Sequence, residues 1–181
     1  MTGLGAMDEV DEPFTTEEMY HVKKVNDEVY KRFARLMPTN DLTLIVLKGH
    51  LLVEEQMDKF IESSLGEAAG PFDSIGLQFK RKWEFAKQLH RPRDLFPEIW
   101  GSVNELNELR NAIAHNPEVA DLPQRCAKFV ERVVEGEEVS VASMNVNQES
   151  RLVFAIGSIV ANLAGIRIAR HIALRRYAES K

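Results

Sequence analysis

The spacing of apolar residues near the start of the chain predicts a helix. In residues 17–37, apolar side chains recur at three- and four-residue steps, which is the period of a helix with one buried face. These side chains are Met19, Val22, Val25, Val29, Phe33 and Leu36. Thr15 or Thr16 can cap the first turn, and Pro38 lies just past the end.

A second helix is predicted over residues 42–65, with Asn40 or Asp41 at its start. Its apolar residues cover more than one face, which indicates a central position in the fold. They are Val46, Leu47, Leu51, Val53, Met57, Phe60 and Ile61. The glycines and proline of residues 66–73 then predict a connection.

Two further helices are predicted in the middle of the chain, over residues 74–90 and 94–115. The second of these has a buried line made of Ile99, Val103, Leu106, Leu109 and Ile113. Pro117 disfavours the helical conformation at Asn116, so this helix is expected to end near His115.

The last third of the chain predicts two more helices, over about residues 122–134 and 148–178. The final helix is apolar enough to be buried for most of its length. Between them lies a linker in which VSVAS, residues 139–143, could form a short strand, although nothing pairs with it convincingly.

These elements predict an all-α fold, a single bundle of about five to six helices over residues 15–181. Residues 1–14, which are rich in acidic groups, are expected to be a disordered leader. The length of 181 residues and the 44% hydrophobic content fit one domain with a substantial core.

Cysteine content and hydropathy predict a soluble, cytoplasmic protein with no membrane partner. Cys126 is the only cysteine, which excludes an intramolecular disulfide and a cysteine-based zinc site. It is expected to be buried rather than nucleophilic. We expect that no segment approaches the roughly 20 apolar residues of a membrane span, and the start of the chain lacks the pattern of a secretory signal.

The distribution of charge is uneven. The net charge of -5 argues against general coating of nucleic acid. Residues 79–93, however, hold six basic groups against Glu84 alone, and five basic groups from Arg167 to the end face only Glu179. Both stretches are candidates for a local basic surface that guides RNA, with Lys80, Arg81 and Lys82 as binding residues; the alternative is two ordinary solvated helix faces.

The end of the fourth predicted helix carries the candidate chemistry. Arg110, Asn111 and His115 lie in its last turns, where Asn111 and His115 are about 40° apart around the axis and Arg110 is about 140° from His115. A guanidinium matches two phosphate oxygens, and an imidazole can transfer protons near neutral pH. The simpler interpretation is helix termination, because cations and asparagine are common at helix C-termini.

The segment LRNAIAH, residues 109–115, resembles the arginine-x4-histidine motif of the HEPN superfamily (higher eukaryotes and prokaryotes nucleotide-binding). The similarity extends to KGHLLVEEQMDKFI, residues 48–61, and covers about residues 41–117. The resemblance implies a homodimer with two motif helices facing each other across a cleft. It also implies a metal-independent endoribonuclease, without cofactor, of a toxin-antitoxin or phage-defence system, where a nucleotidyltransferase-type antitoxin is a possible partner.

The same resemblance implies roles for the motif residues. His115, or its symmetry mate, would move the protons, Arg110 would neutralise the developing charge on phosphorus, and Asn111 would orient the scissile phosphate or hold the histidine. Glu54 is a candidate for holding Arg110 in position, although a local structural role of Glu54 fits the sequence as well. The RNA target is not indicated.

Three other features receive structural interpretations. His50 and Glu54 are four residues apart, as metal ligands can be, but lack a third ligand, so no metal site is predicted. His50 is expected to pack among apolar neighbours of its own helix. Trp83 and Trp100 could stack on bases but are expected in the core or at its rim.

An alternative of a different class is a non-enzymatic helical regulator or interaction module. The segment GPFDSIGLQFKRK, residues 70–82, loosely resembles a turn of the mannitol operon repressor family of transcriptional regulators. In that case the arginine and histidine only close a helix, because a shared fold does not establish activity.

Overall fold

The computed structural model describes residues 14–38, 40–66, 76–90, 96–116, 118–134 and 146–180, apart from the side chain of Tyr177. Within these ranges it has six helices and no strand, so the predicted all-α bundle is confirmed. The helices are α1 (Thr16–Leu36), α2 (Leu42–Leu65), α3 (Phe79–Leu89), α4 (Ile99–His115), α5 (Leu122–Val134) and α6 (Gln148–Glu179). Residues 1–13 of the predicted leader and the segment VSVAS lie outside the described residues.

Side-chain caps set the starts of three helices. Thr15 and Glu18 form a reciprocal capping box at the start of α1. The carboxylate of Asp41 accepts a hydrogen bond from the backbone of Leu44 at 3.0 Å, and Asn147 caps α6 in the same way. The predicted starts of α1 and α2 are therefore confirmed by the groups that the sequence offered for capping.

The predicted starts of α3 and α4 are wrong by five residues each. Gly76 has a φ of 62° and Phe96 a φ of 57°, which are left-handed conformations that a right-handed helix excludes. Each helix begins three residues after this turn. The spacing of apolar residues cannot reveal a residue with positive φ, because the leucine and phenylalanine side chains near it still recur at helical intervals.

The centre of the bundle is formed by α6, which packs against α1, α2, α4 and α5. Helices α6 and α1 are antiparallel. Gly157, early in α6, faces Tyr30 late in α1, whereas Arg176, late in α6, binds Glu18 near the start of α1. Buried residues of all six helices form one core cluster. The prediction that α2 is central is confirmed as well, because α2 packs against α3, α4, α5 and α6.

The apolar character of α6 is strong enough to match a membrane-spanning helix by length and composition. Over Gln148–Arg176 its most apolar window has a mean hydropathy of 1.9, and 56% of that window is buried inside the bundle. The expectation that no segment approaches a membrane span is therefore wrong on composition. A buried central helix of a helical bundle has the same apolar composition, because its neighbours replace lipid around it.

The arrangement of α2, α3 and α4 positions the candidate site. Helix α4 runs antiparallel to α2, since Trp100 at its start packs on Phe60 and Asn107, two turns later, reaches His50. Phe79 at the start of α3 lies against the ring of His50, with 4.3 Å between ring centroids. The beginning of α3 therefore lies beside the second half of α4.

Candidate functional site

The motif residues lie on the last two turns of α4, above the buried side chains of Leu109 and Ile113. Arg110 and His115 are exposed and Asn111 is half-buried. The guanidinium of Arg110 donates a hydrogen bond from Nη1 to Oδ1 of Asn111 at 3.2 Å. This contact joins a permanent positive charge and an amide whose NH₂ group is a further donor, which together suit an anion such as phosphate.

No carboxylate neutralises Arg110 among the described residues. The carboxylate of Glu54, the candidate support for Arg110, instead accepts a hydrogen bond from Lys82 at 3.0 Å. Arg110 is held by Asn111 and keeps most of its donors for another partner. The structure thus gives Glu54 the local structural role, between α2 and α3.

Lys82 is committed to two carboxylates inside the protein. Its ammonium also binds Asp58 at 2.9 Å, and the side chains of Lys82 and Asp58 are only 12% and 15% exposed. Burial lowers the pKa of Lys82, but the hydrogen bonds and charges of Asp58 and Glu54 outweigh burial, so that its pKa lies above the ordinary value. The assignment of Lys82 to RNA binding therefore needs correction, because its charge is already compensated.

The other two basic residues at the start of α3 remain on the surface. Lys80 and Arg81 are exposed, and Arg81 pairs with Glu84 at 3.3 Å with 74% of its side chain accessible. They follow Phe79, which covers His50 beneath α4. The first turn of α3 consequently adds exposed positive charge beside the motif helix.

The basic C-terminal stretch lies at the opposite end of the bundle. Arg170 donates to the carbonyl of Leu89 at the end of α3, and Arg176 binds Glu18 at the start of α1. Because α4 runs antiparallel to α2, the motif lies near the start of α2, far along the bundle from these contacts. Among the described residues of the two basic stretches, only those in the first turn of α3 lie near the motif.

Asn107 lies on this face of α4 over the buried His50, and the sequence pattern singled out His50 only as a packing residue and did not single out Asn107. His50 is only 5% exposed, and its Nε2–H donates to Oδ1 of Asn107 at 3.2 Å. Burial lowers the pKa of His50; the bond to Asn107 and the charge of Glu54 oppose this, and Arg110 adds to it. A signal was present in the sequence, since Asn107 precedes Arg110 and Asn111 by three and four residues on one helix face.

The imidazole of His115 is not joined to Arg110 or Asn111 by a hydrogen bond within one chain. It projects from the last turn of α4 as an exposed side chain. A single chain thus brings the guanidinium and the amide together and leaves the imidazole separate. The separation agrees with the 140° between Arg110 and His115 around an ideal helix.

Several other side chains have structural roles. The indole nitrogen of Trp83 donates to the carbonyl of Trp100 at 2.8 Å, and Trp100 is buried, so the expected core packing is confirmed. Cys126 is buried as expected, and burial raises its pKa to about 11. His50 and Glu54 bind Asn107 and Lys82 respectively, which leaves them unsuited as a pair of metal ligands.

A cavity of about 530 Å³ lies between α5 and α6, and Arg110, Asn111 and His115 do not line it. Its walls combine apolar and polar side chains in equal number: Pro123, Ala127, Val130 and Val146, with Gln124, Glu131, Gln148 and Arg151. The motif surface is the stronger candidate for chemistry, because it combines a guanidinium, an amide and an exposed imidazole on one helix.

Comparisons with known proteins do not add to this picture. The chain matched no protein-family model, no curated protein and no solved structure.

Proposed function

We propose that this protein is a metal-independent endoribonuclease of the HEPN type, cleaving RNA at a composite site between two copies of the chain. The observation that carries the proposal is the exposed Arg110–Asn111 pair, which has no carboxylate partner among the described residues and lies beside the basic start of α3. Such a pair is suited to a phosphodiester, and a cluster of positive charge beside it attracts an RNA strand in spite of the net charge.

The proposed reaction is an attack of the ribose 2'-hydroxyl on the adjacent phosphorus. One His115 removes the proton of the 2'-hydroxyl while the 2'-oxygen forms a bond to phosphorus. The bond from phosphorus to the 5'-oxygen breaks, and the second His115 donates a proton to that oxygen. The products are a 2',3'-cyclic phosphate and a 5'-hydroxyl, and no further reactant is required.

Arg110 and Asn111 have an electrostatic and a positioning role in this scheme. The guanidinium neutralises the charge that accumulates on the phosphoryl oxygens in the transition state. The Asn111 amide accepts from Arg110 and donates to the scissile phosphate, which fixes the phosphate relative to the arginine. Such preorganised donors act without rearrangement during the reaction.

A second copy of the chain supplies the other proton carrier. One chain holds a single His115 in the motif, whereas acid-base cleavage uses two groups on opposite sides of phosphorus. In a homodimer with a two-fold axis, each chain contributes the same residues. A homodimer is therefore the simplest assembly that contains two copies of His115. The proposal places the reaction in the cytoplasm, with RNA as substrate and a nucleotidyltransferase-type antitoxin as a candidate regulator.

Cleavage of a tRNA mixture by purified protein in the presence of a metal chelator tests the proposal. We expect His115→Ala to reduce the rate at least about 100-fold, because general acid-base catalysis typically contributes 10²–10⁴-fold. His171→Ala, at an exposed histidine of α6, is the matched control and should retain the wild-type rate. DNA of the same sequence should remain intact, since it lacks the 2'-hydroxyl.

Two outcomes would contradict the proposal. If wild-type protein and His115→Ala cut RNA at the same rate, His115 is not the proton carrier. A ribonuclease should slow growth when it is overproduced, and this effect should be lost with Arg110→Ala. If the wild-type protein cuts no RNA and its overproduction does not slow growth, the regulator alternative is favoured.

A further inference from the structure

We infer that Asn107 is an additional phosphate-binding residue, which holds the phosphate next to the one assigned to Arg110 and Asn111. The inference rests on the proposed RNA function and deepens it by giving the strand a direction along α4. It is carried by the orientation of one side chain amide and by its place on the helix.

The buried His50 determines which end of the Asn107 amide faces outward. Oδ1 of Asn107 accepts a hydrogen bond from His50, whose ring is held between the core and Phe79. The amide nitrogen of Asn107 has no hydrogen-bond partner among the described residues, and the side chain is half-buried rather than enclosed. If the His50–Asn107 pair had only a structural role, that role would explain the hydrogen bond to Oδ1. It would leave the two N–H donors of the Asn107 amide without a partner.

The position of Asn107 on α4 matches a nucleic-acid backbone. Asn107 lies about 4.5 Å along the helix axis from Arg110 and about 6 Å from Asn111, within about 60° of both around the axis. This axial separation is comparable to the distance between consecutive phosphates of an extended strand. Donors that repeat at this spacing can each bind one phosphate of the same strand.

Exposed positive charge continues beyond Asn107. The ring of Phe79 covers His50, which binds Asn107, and Lys80 and Arg81 follow in the first turn of α3. The surface therefore runs from His115 and Arg110 through Asn107 to Lys80. This order predicts that the strand leaves the scissile phosphate toward the start of α3.

Asn107→Asp is the informative substitution, because it separates the two ends of the amide. An aspartate oxygen can still accept the hydrogen bond from His50, which preserves the buried contact and the fold, but the outward N–H donors are lost. Asn104→Asp is the matched control, since it makes the same change at a half-buried residue of α4, about 9 Å from Arg110 along the axis.

The measurement is fluorescence anisotropy of a single-stranded RNA oligonucleotide with 2'-O-methyl riboses, which cannot be cleaved. We expect Asn107→Asp to weaken binding about tenfold or more, the effect of losing a hydrogen bond to a charged group, and Asn104→Asp about threefold at most. Thermal unfolding of both variants shows whether they are folded. Asn107→Ala, which removes the whole amide, should also weaken binding of the oligonucleotide.

The outcomes separate the two proposals. Equal weakening by Asn107→Asp and Asn104→Asp, with firm binding by the wild type, would overturn the role of Asn107 and leave the ribonuclease proposal intact. A wild-type protein that does not bind the oligonucleotide would overturn both.

Discussion

His50 illustrates at the scale of a single residue how a buried histidine is kept neutral. Its ring lies against Phe79, it donates one hydrogen bond to Asn107, and the cationic Arg110 is close enough to disfavour a second positive charge. Burial is the largest cause of its lowered pKa, and the nearby Glu54 compensates only in part. A neutral His50 keeps the charge of the site on Arg110.

We predict that His50 makes the stability of the protein depend on pH. Because the pKa of His50 is lower in the folded chain, the unfolded chain takes up the proton first as the pH falls below about 6.5. The contribution of His50 is therefore fully present above about pH 6.5 and is lost as the pH falls through its folded pKa. Urea unfolding at about pH 7.5 and pH 5 measures the difference.

The comparison is with His50→Gln, whose amide can donate to Asn107 and does not titrate. We expect this variant to lose less stability between the two pH values than the wild type. His171→Gln, at an exposed histidine, should behave as the wild type does. Equal losses in the wild type and in His50→Gln would show that His50 is not the titrating group.

Close approach of α2 and α6 is the dominant feature at the scale of helices. Gly49 on α2 faces Ile156 of α6, and a Cβ placed on Gly49 would lie 2.8 Å from both the Cδ1 and the Cγ2 atoms of that isoleucine. Ile156 is completely buried, so its side chain has no free space into which it can move. The glycine is therefore required by packing, although glycine is unfavourable inside a helix.

We predict that Gly49→Ala lowers the free energy of unfolding by about 1–3 kcal/mol, the usual cost of overpacking a core. Gly101→Ala is the control, because a Cβ on Gly101 in α4 meets nothing within 4 Å. That substitution should stabilise the protein by up to about 1 kcal/mol through helix propensity. Chemical denaturation of both variants provides the test, and stabilisation by Gly49→Ala would contradict the described contact between α2 and α6.

The whole molecule combines an acidic net charge with a basic surface at one place. The net charge is -5, while Arg110, Lys80 and Arg81 lie on adjoining elements, and Arg170 and Arg176 of the C-terminal stretch bind α3 and α1 instead. Local charge, rather than net charge, sets the potential that a bound strand experiences within a Debye length. The proposed RNA binding therefore depends on this local positive charge and not on the net charge.

We predict that the active species is a dimer. Sedimentation at micromolar concentration should give twice the mass of the chain, and the rate per chain should fall on dilution below the dissociation constant, because each site needs His115 from both copies. A rate per chain that stays constant when the protein sediments as a monomer would exclude the composite site.

The sequence determined much of the fold. Apolar periodicity and capping residues predicted the α-helical class, the bounds of α2, the approximate bounds of α5 and the threonine cap of α1, because helix formation and one-sided burial are local properties of the chain. The same pattern missed the true starts of α3 and α4, each of which begins three residues after a residue with positive φ. Backbone conformation at such a position depends on the path of the chain in three dimensions.

For the site, the sequence supplied the chemical groups and the tertiary structure selected among them. Residues 110, 111 and 115 were evident from one helix, and helical geometry already separated Arg110 from His115. Only the packing of α2 against α3 showed that Lys82 is neutralised by Glu54 and Asp58, and only the packing of α2 against α4 brought His50 to Asn107. Which charges are free and which are paired depends on distances between separate helices, and local sequence does not encode those distances.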